Sequence, residues 1–232
     1  MPDSGRRAVL LLLCLLLAAV RSGAATPADT IEQRVLACTA CHGSSAGRAV
    51  FPRIAGKPAG YLYNQLINFR EGRRQYPQMT YMVEHLSLPY LREIADHFSK
   101  QQLAAPTVPT VDLDAAALAR GRQLVLEGDR ALQLPACIAC HGARLTGVQP
   151  AIAGLAGLPR DYLNAQLGNW RNHTRRAQAP DCMAVIANRL SLSDVAAVSG
   201  WIARRPLPAA AAMAPAATIA RPLPLACGSA PD

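Results

Sequence analysis

Apolar residues recur at three- and four-residue intervals along much of the chain, which is the spacing of an amphipathic helix. Leu91, Ile94 and Phe98 follow this spacing behind Ser87, a suitable N-cap for a helix that runs to about Lys100. No stretch alternates convincingly between apolar and polar residues with the period of two that a half-buried strand requires. The pattern therefore predicts an all-α protein.

A second copy of this helix is predicted near the end of the chain. Ser191 is followed three residues later by Asp194, a spacing that resembles a capping box for a helix to about Arg204. Each of the two predicted helices follows a methionine, Met79 in one case and Met183 in the other, with Leu-Ser starting seven residues after it. The match indicates that the chain contains a duplication.

Other landmarks repeat in the same order. Cys-x-Ala-Cys-His-Gly occupies residues 38–43 and returns 99 residues later at 137–142. A Pro-x-Ile-Ala-Gly segment follows each copy, at residues 52–56 and 150–154, and then an aromatic helix, at residues 61–66 and 162–167. We expect two copies of one helical unit, with the segment before the aromatic helix three residues longer in the second copy.

These repeats predict a domain plan. A leader covers residues 1–25, the first unit residues 26–102, a Pro-containing linker 103–113, the second unit 114–205, and an irregular Ala/Pro-rich tail 206–232 that lies over the surface. Each unit has few aromatic residues and is small for a self-sufficient hydrophobic core. A cofactor would complete such a core.

The leader indicates the compartment. Arg6 and Arg7 precede thirteen apolar residues, fewer than the roughly 20 that span a bilayer, and small residues follow. This is the pattern of a cleaved secretory signal, with a retained membrane anchor as the alternative. We expect a soluble mature protein in a bacterial periplasm, with the formal charge lowered from +9 to +7 by loss of Asp3 and three arginines.

The composition excludes some classes of protein. Of 232 residues, 51% are hydrophobic and 17% charged, against about 25% charged in average domains. Disordered chains and nucleic-acid-binding tails are far more densely charged. The arginines of residues 70–74 and 171–176 form two local basic clusters, which are interpreted as docking sites for an acidic partner or as solvated helix ends.

The repeated Cys-x-x-Cys-His segments predict the cofactor. Positions i and i+3 of a helix share a face, so Cys38 and Cys41 can both reach the vinyl edges of one porphyrin while His42 faces its iron. This spacing is the attachment signature of c-type haem. Cys137, Cys140 and His141 repeat it. A four-cysteine zinc site is the alternative, but 95 residues separate Cys41 from Cys137 and zinc pairs are usually about 15 to 20 apart. A thioredoxin-like redox pair is also considered, but it would need strands.

The sixth iron ligand is expected from a methionine. Met79 and Met183 lie 37 and 42 residues beyond His42 and His141, at equivalent places of the repeat. Methionine with histidine raises the haem potential and suits electron transfer. The rivals are Met82, one helical turn from Met79, and three histidines without an aligned copy. These are His85, His97 and His173.

The proline-containing segments predict the orientation of the two histidines. A backbone carbonyl in residues 52–56, and one in residues 150–154, is expected to accept the ring N–H of the ligating histidine. The simpler interpretation is that Pro52 and Pro150 only punctuate loops.

Together these motifs resemble the two-haem cytochromes c, most closely the cytochrome c4 family, over about residues 30–205. The resemblance implies two class I cytochrome c domains related by a pseudo-twofold axis, with haem propionates near their interface. It implies two covalently bound haem c groups and electron carriage from a quinol-oxidising cytochrome complex to a terminal oxidase. Cysteines 38, 41, 137 and 140 would bind haem covalently. Iron would be ligated by His42, Met79, His141 and Met183.

Two further cysteines leave the function open. A disulfide between Cys182 and Cys227 would tie the tail down, as an oxidising compartment favours. Alternatively, Cys182 would ligate the second haem as a thiolate, as in two-haem thiosulfate dehydrogenases, and the protein would be an enzyme. On an extended loop, adjacent Cys182 and Met183 would point in opposite directions. A third hypothesis is a cytochrome subunit of a larger dehydrogenase.

Overall fold

The computed structural model describes residues 29–43, 51–102, 112–205, 215–217 and 222–230. Within these ranges it is helical, with isolated bridges but no named strand, so the all-α prediction is confirmed. The helices follow in chain order: α1 (Ile31–Arg34), α2 (Leu36–His42), α3 (Ala59–Arg70), α4 (Pro77–Val83), α5 (Leu88–Lys100), α6 (Ala115–Leu126), α7 (Ile138–His141), α8 (Arg160–Arg171), α9 (Cys182–Arg189) and α10 (Leu192–Arg204).

The chain divides into two compact parts, a short amino-terminal part, Met1–Arg34, and a main part, Val35–Asp232. The described end of the amino-terminal part holds the single turn α1, where Arg34 pairs with Asp29 at 2.6 Å. The predicted leader, residues 1–25, and residues 103–111 of the predicted linker lie outside the described ranges. All structural features below belong to the main part, which contains both halves of the duplication.

The last helix of each half, α5 and α10, begins where the sequence predicts. The Ser87 hydroxyl accepts the N–H of Tyr90 at the start of α5. Ser191 and Asp194 form a reciprocal capping box at the start of α10. Each helix has thirteen residues, so the duplication predicted from these segments is visible in the fold.

The structure corrects the register of the Pro-x-Ile-Ala-Gly segments. Helices α3 and α8 each have twelve residues and each is preceded by a proline, Pro58 and Pro159. Gly56 and Gly157, two residues before these prolines, both have positive φ, 71° and 76°. The equivalent loops are therefore residues 52–58 and 153–159, offset by 101, and the expected three-residue difference before the aromatic helix is wrong. The second copy has two extra residues before this loop, where the offset rises from 99 to 101, and three more before Met183, where it rises to 104.

Three helix pairs build the cores. Helix α3 packs against α5 in the first half, around Phe69, Val83 and Leu91. In the second half α10 packs against α6 and α8, and the buried cluster includes Trp170 and Ile202. These helices form a frame on which the short helices α2, α4, α7 and α9 present the predicted haem residues.

Among the described residues, no single helix is long and apolar enough to cross a membrane; α9 and α10 pass that test only as a pair, with a 113° bend between them.

The crossing of α6 and α10 depends on Gly121. A Cβ at Gly121 would lie 2.2 Å from the Ala197 carbonyl oxygen and 2.8 Å from Cβ of Trp201, whereas one at Gly168 in α8 would meet nothing within 4 Å. We expect Gly121→Ala to lower the free energy of unfolding by about 1–3 kcal/mol because the helices must separate. The matched variant Gly168→Ala should be neutral or stabilising by up to about 1 kcal/mol. Denaturant unfolding of both holoproteins measures this, and equal midpoints would contradict the close crossing.

Candidate haem sites

The four cysteines of the repeated motifs lie on two short helices. Cys38 and Cys41 belong to α2, and Cys140 belongs to α7, whose N-cap is Cys137. All four are partly buried and none forms a disulfide. Burial raises the pKa of Cys38, and raises the pKa of Cys137 to about 12. A raised pKa favours the protonated thiol at Cys38 and Cys137.

A zinc site finds no support in the geometry. Among the residues that the structure describes, no three His, Cys, Asp or Glu side chains gather in an arrangement that could hold a metal ion. A structural zinc site needs four such ligands.

Both motif histidines are fixed by a backbone carbonyl. Nδ1 of His42 lies 2.9 Å from the carbonyl oxygen of Pro52, and Nδ1 of His141 lies 2.8 Å from that of Ala153. A carbonyl only accepts, so Nδ1 must carry the proton and Nε2 must hold the free lone pair. The predicted carbonyl contact is confirmed in both halves. Pro52 and Ala153 are also equivalent under the offset of 101.

The pKa of each histidine supports a neutral ring. Burial lowers the pKa of both, against the opposing effect of the carbonyl bond, and a cation lowers each further. For His42 the cation is Arg74, and for His141 it is Lys57, which belongs to the other half. Neutral imidazole is the form that ligates iron.

The second half contains an apolar cavity with the predicted haem residues in its wall. Cys137, Cys140, His141 and Met183 line it together with Trp170 and other, mostly apolar, side chains, and a few polar residues of both halves complete the wall. Asp181 fixes the start of α9 beside it, because its carboxylate accepts from the backbone N–H of Ala184 and from the indole of Trp170. The structure thus brings the four predicted residues of the second site to one cavity.

In the first half Met79 and Met82 occupy different environments. Met79 is partly buried and packs with the cluster of Phe69 and Leu91, while Met82 is 39% exposed. Of the histidines considered as substitute ligands, His85 is largely exposed and His97 lies 2.7 Å from the side-chain amide of Gln101. The packing favours Met79 as the ligand on this side.

The tail is not simply laid on the surface. Cys182 is bonded to Cys227, which confirms the disulfide and leaves Cys182 without a thiolate. Leu223, Leu225 and Ala230 line the same cavity as Met183. The tail is therefore part of the wall of the second site. Cys182 and Met183 both line that cavity and are the first residues of α9, so the extended loop expected at this point is wrong.

The predicted basic clusters are also corrected by the structure. Arg74 and Arg175 are not docking residues on the surface; they meet where the two halves join. The backbone contacts there are reciprocal, since Gln75 N–H donates to Thr174 at 3.2 Å and Arg176 N–H donates to Arg73 at 2.6 Å. Under the offset of 101 these two bonds exchange places, as a pseudo-twofold axis requires.

The side chains of this junction repeat the same symmetry. Arg74 donates to Oε1 of Gln65 and Gln166 at 3.1 and 2.9 Å, and Arg175 donates to the same two oxygens at 3.0 and 2.6 Å. Each guanidinium also bonds the tyrosine hydroxyl of the opposite half, Arg74 that of Tyr162 and Arg175 that of Tyr61. The sequence held a signal for this cluster, because all three residue types recur at the offset of 101.

The junction concentrates positive charge. Burial, and then the charge of Arg74, lowers the pKa of Arg175 to about 10. Neither guanidinium pairs with a carboxylate among the described residues, and the Arg175 guanidinium stacks on Trp170 at 3.9 Å. Among the described residues, the buried Arg175 and the half-buried Arg74 bond only to neutral groups at this junction, which leaves room for an anionic partner.

Comparison with known proteins decides the family. No protein-family model matches the chain. It is 34% identical over 203 residues to the thiosulfate dehydrogenase electron acceptor of Thiomonas intermedia, covering 86% of this chain and 90% of that one. It is 33% identical over 201 residues to cytochrome c4 of Pseudomonas aeruginosa, covering 83% and 96%. The chain belongs to the cytochrome c4 family. These are dihaem cytochromes c, and the cofactors are two covalently bound haem c groups.

Solved structures agree with this assignment. Reduced cytochrome c4 from Pseudomonas stutzeri superposes with a TM-score of 0.61 at 29% identity, covering 74% of this chain and 95% of that one. The thiosulfate dehydrogenase TsdBA from Marichromatium purpuratum gives 0.66 at 32% identity, with 73% of this chain covered. This chain spans 36% of that longer protein. Two class I cytochrome c domains, as the sequence predicts, are shown by the cytochrome c4 structures.

The residues present fit the haem groups. In each half a histidine with its Nδ1 proton engaged has Nε2 free for iron, and two unbridged thiols lie within the preceding four residues. The buried Arg175 and the half-buried Arg74 at the junction would suit ionised haem propionates.

The disulfide should stabilise the wall of the second site. Its loop spans 45 residues, so replacing both cysteines, Cys182→Ser with Cys227→Ser, is expected to lower the free energy of unfolding by about 2–4 kcal/mol. Denaturant unfolding of the holoprotein measures this loss. Reductant should produce the same loss in the native protein and no change in the double variant, because thioether-linked cysteines are not reduced. Unaltered unfolding in the double variant would contradict a structural role.

Proposed function

We propose that this protein is a periplasmic dihaem electron carrier. Residues 1–25 direct its export and are then cleaved off. Cys38 and Cys41 bind the first haem, and Cys137 and Cys140 the second. His42 with Met79, and His141 with Met183, ligate the two irons. The haem domains are residues 26–102 and 114–205. The observation that carries the proposal is the same imidazole tautomer, fixed by an equivalent carbonyl, in both halves.

The haem groups, when bound, supply reversible one-electron chemistry at iron. The protein residues orient the imidazoles, provide a soft neutral sulfur on the opposite side and keep water away. Ligation by histidine and methionine together raises the potential and closes the iron to exogenous ligands. Such a site exchanges electrons with partner proteins and does not bind a substrate.

An enzymatic role is disfavoured by the disulfide. A thiosulfate dehydrogenase of the kind considered above would need Cys182 as a thiolate ligand, and Cys182 is bonded to Cys227. Two relatives, at 34% and 36% identity, are named electron acceptors of thiosulfate dehydrogenase. The carrier interpretation agrees with both observations.

The electron donor is proposed to be a thiosulfate dehydrogenase. Relatives at 34% and 36% identity are named as electron acceptors of that enzyme, and the chain covers 90% and 82% of them. A quinol-oxidising cytochrome complex is the second candidate donor, since relatives at 33% and 31% identity are cytochromes c4. A terminal oxidase is the proposed acceptor in both cases.

Each methionine ligand can be tested by spectroscopy. Met79→Ala and Met183→Ala are each expected to halve the weak far-red absorption band of ferric haem, which reports iron–methionine bonding. Met82→Ala, one helical turn from Met79, is the matched control and should leave the band unchanged. A halved band in Met82→Ala, with the full band retained in Met79→Ala, would overturn the assignment of the first ligand.

The proposed donor can be tested by reconstitution. The oxidised holoprotein is mixed with thiosulfate and a catalytic amount of a purified thiosulfate dehydrogenase, and reduction is followed by haem absorption. We expect two electrons to be taken up per chain, and none without the enzyme. Reduction by thiosulfate alone would identify the protein itself as the enzyme. No reduction, together with rapid reduction by a quinol-oxidising complex, would assign the second candidate donor.

A further inference from the structure

Lys57 is an unusual residue in this chain. Basic side chains are almost all arginine, and the sequence contains only two lysines, Lys57 and Lys100. Lys100 is exposed at the end of α5, whereas Lys57 is 6% exposed. The equivalent position in the second half, under the offset of 101, is the buried apolar residue Leu158. The duplication therefore places a buried ammonium group in the first half and none at the matching place.

The ammonium group of Lys57 reaches into the opposite half. Its Nζ donates to the carbonyl oxygen of Gly154 at 2.6 Å. Gly154 follows Ala153, whose carbonyl oxygen accepts Nδ1–H of His141. The neighbouring backbone is tied across the same boundary, because Gly60 N–H donates to the carbonyl oxygen of Pro150 at 3.0 Å. Lys57 thus supports the loop that orients the proposed second iron ligand.

The electrostatic surroundings of Lys57 are unfavourable to its charge. Burial, and then repulsion by Arg53 of its own loop, lowers the pKa of Lys57 to about 7. The positive charge of Lys57 lowers the pKa of the His141 ring, at the end of α7 in the opposite half. Arg53 and His141 are the charged or titratable groups that act on Lys57 among the described residues, and no described carboxylate pairs with it. Lysine, unlike arginine, loses its proton in such surroundings.

We propose that Lys57 is a positioning residue that makes the reduction potential of the second haem, and not that of the first, depend on pH. The proposal rests on the proposed function, in which His141 ligates that haem. A positive charge close to an iron favours its reduced form, because reduction removes one positive charge from the site. Lys57 takes up a proton from solvent when the second site gains an electron from the donor protein, and releases it when the electron leaves.

The first site lacks this property for a physical reason. The cation that acts on His42 is Arg74. An arginine remains protonated throughout the physiological range. Its effect on the potential of the first haem is therefore constant. Any change with pH in the difference between the two potentials should come from the second haem alone.

The experiment is a spectroscopic redox titration of the holoprotein between about pH 5.5 and 9. The two potentials are assigned with Met79→His and Met183→His, each of which lowers the potential of its own haem. In the native protein the second potential should fall as pH rises through about 7, because Lys57 loses its charge, while the first potential stays level. A second potential that is level with pH in the native protein would overturn the proposal without any variant.

Variants at Lys57 separate charge from structure. Lys57→Met should give a low, pH-independent second potential, equal to that of the native protein at high pH. Lys57→Arg should give a high, pH-independent one, since arginine keeps its charge. Lys100→Met removes the other lysine and should leave the native profile unchanged. A pH-dependent second potential that persists in Lys57→Met would contradict the proposal.

The titration also distinguishes failure of this inference from failure of the proposed function. A pyridine haemochrome assay and the far-red band on the same samples report haem content and methionine ligation. Two haems with intact bands and a level profile would overturn only the role of Lys57. Fewer than two haems would overturn the proposed function.

Discussion

The hydrogen bond between each motif histidine and a backbone carbonyl is the interaction on which the rest of the structure depends. It leaves Nδ1 protonated and gives the free lone pair to Nε2. The loops that supply these carbonyls are set by a glycine with positive φ and a proline that precedes the next helix. Local backbone geometry therefore determines the orientation of two otherwise freely rotating rings.

The same loops join the halves, and the first half supports the loop of the second site. Gly60 and Lys57 of the first half donate to the carbonyl oxygens of Pro150 and Gly154. The guanidinium groups of the junction donate across the boundary in a reciprocal way. Most of the buried charge at this boundary is positive, which suits a cofactor with ionised propionates. Duplication has produced two similar sites. They differ because a buried lysine, Lys57, occupies the position in the first half that a buried leucine, Leu158, occupies in the second.

Much of this organisation could be predicted from the sequence, and the failures have identifiable causes. Helix caps at Ser87 and Ser191 are local, so pattern alone located both helices. The Pro-x-Ile-Ala-Gly segments also match in a shifted register, and the positive φ values at Gly56 and Gly157 identify the equivalent loops. The sequence predicts a surface position for Arg74 and Arg175, because charge predicts exposure, whereas the joining of the halves buries Arg175 and half-buries Arg74. The tail could not be placed, since only its cysteine carries a positional signal.

Anomalous diffraction at the iron edge from crystals of the holoprotein tests the central claim most directly. The account predicts two iron positions per chain, one between Nε2 of His42 and the sulfur of Met79, the other between Nε2 of His141 and the sulfur of Met183. A single iron, or an iron bonded to any other sixth side chain in either half, would contradict it.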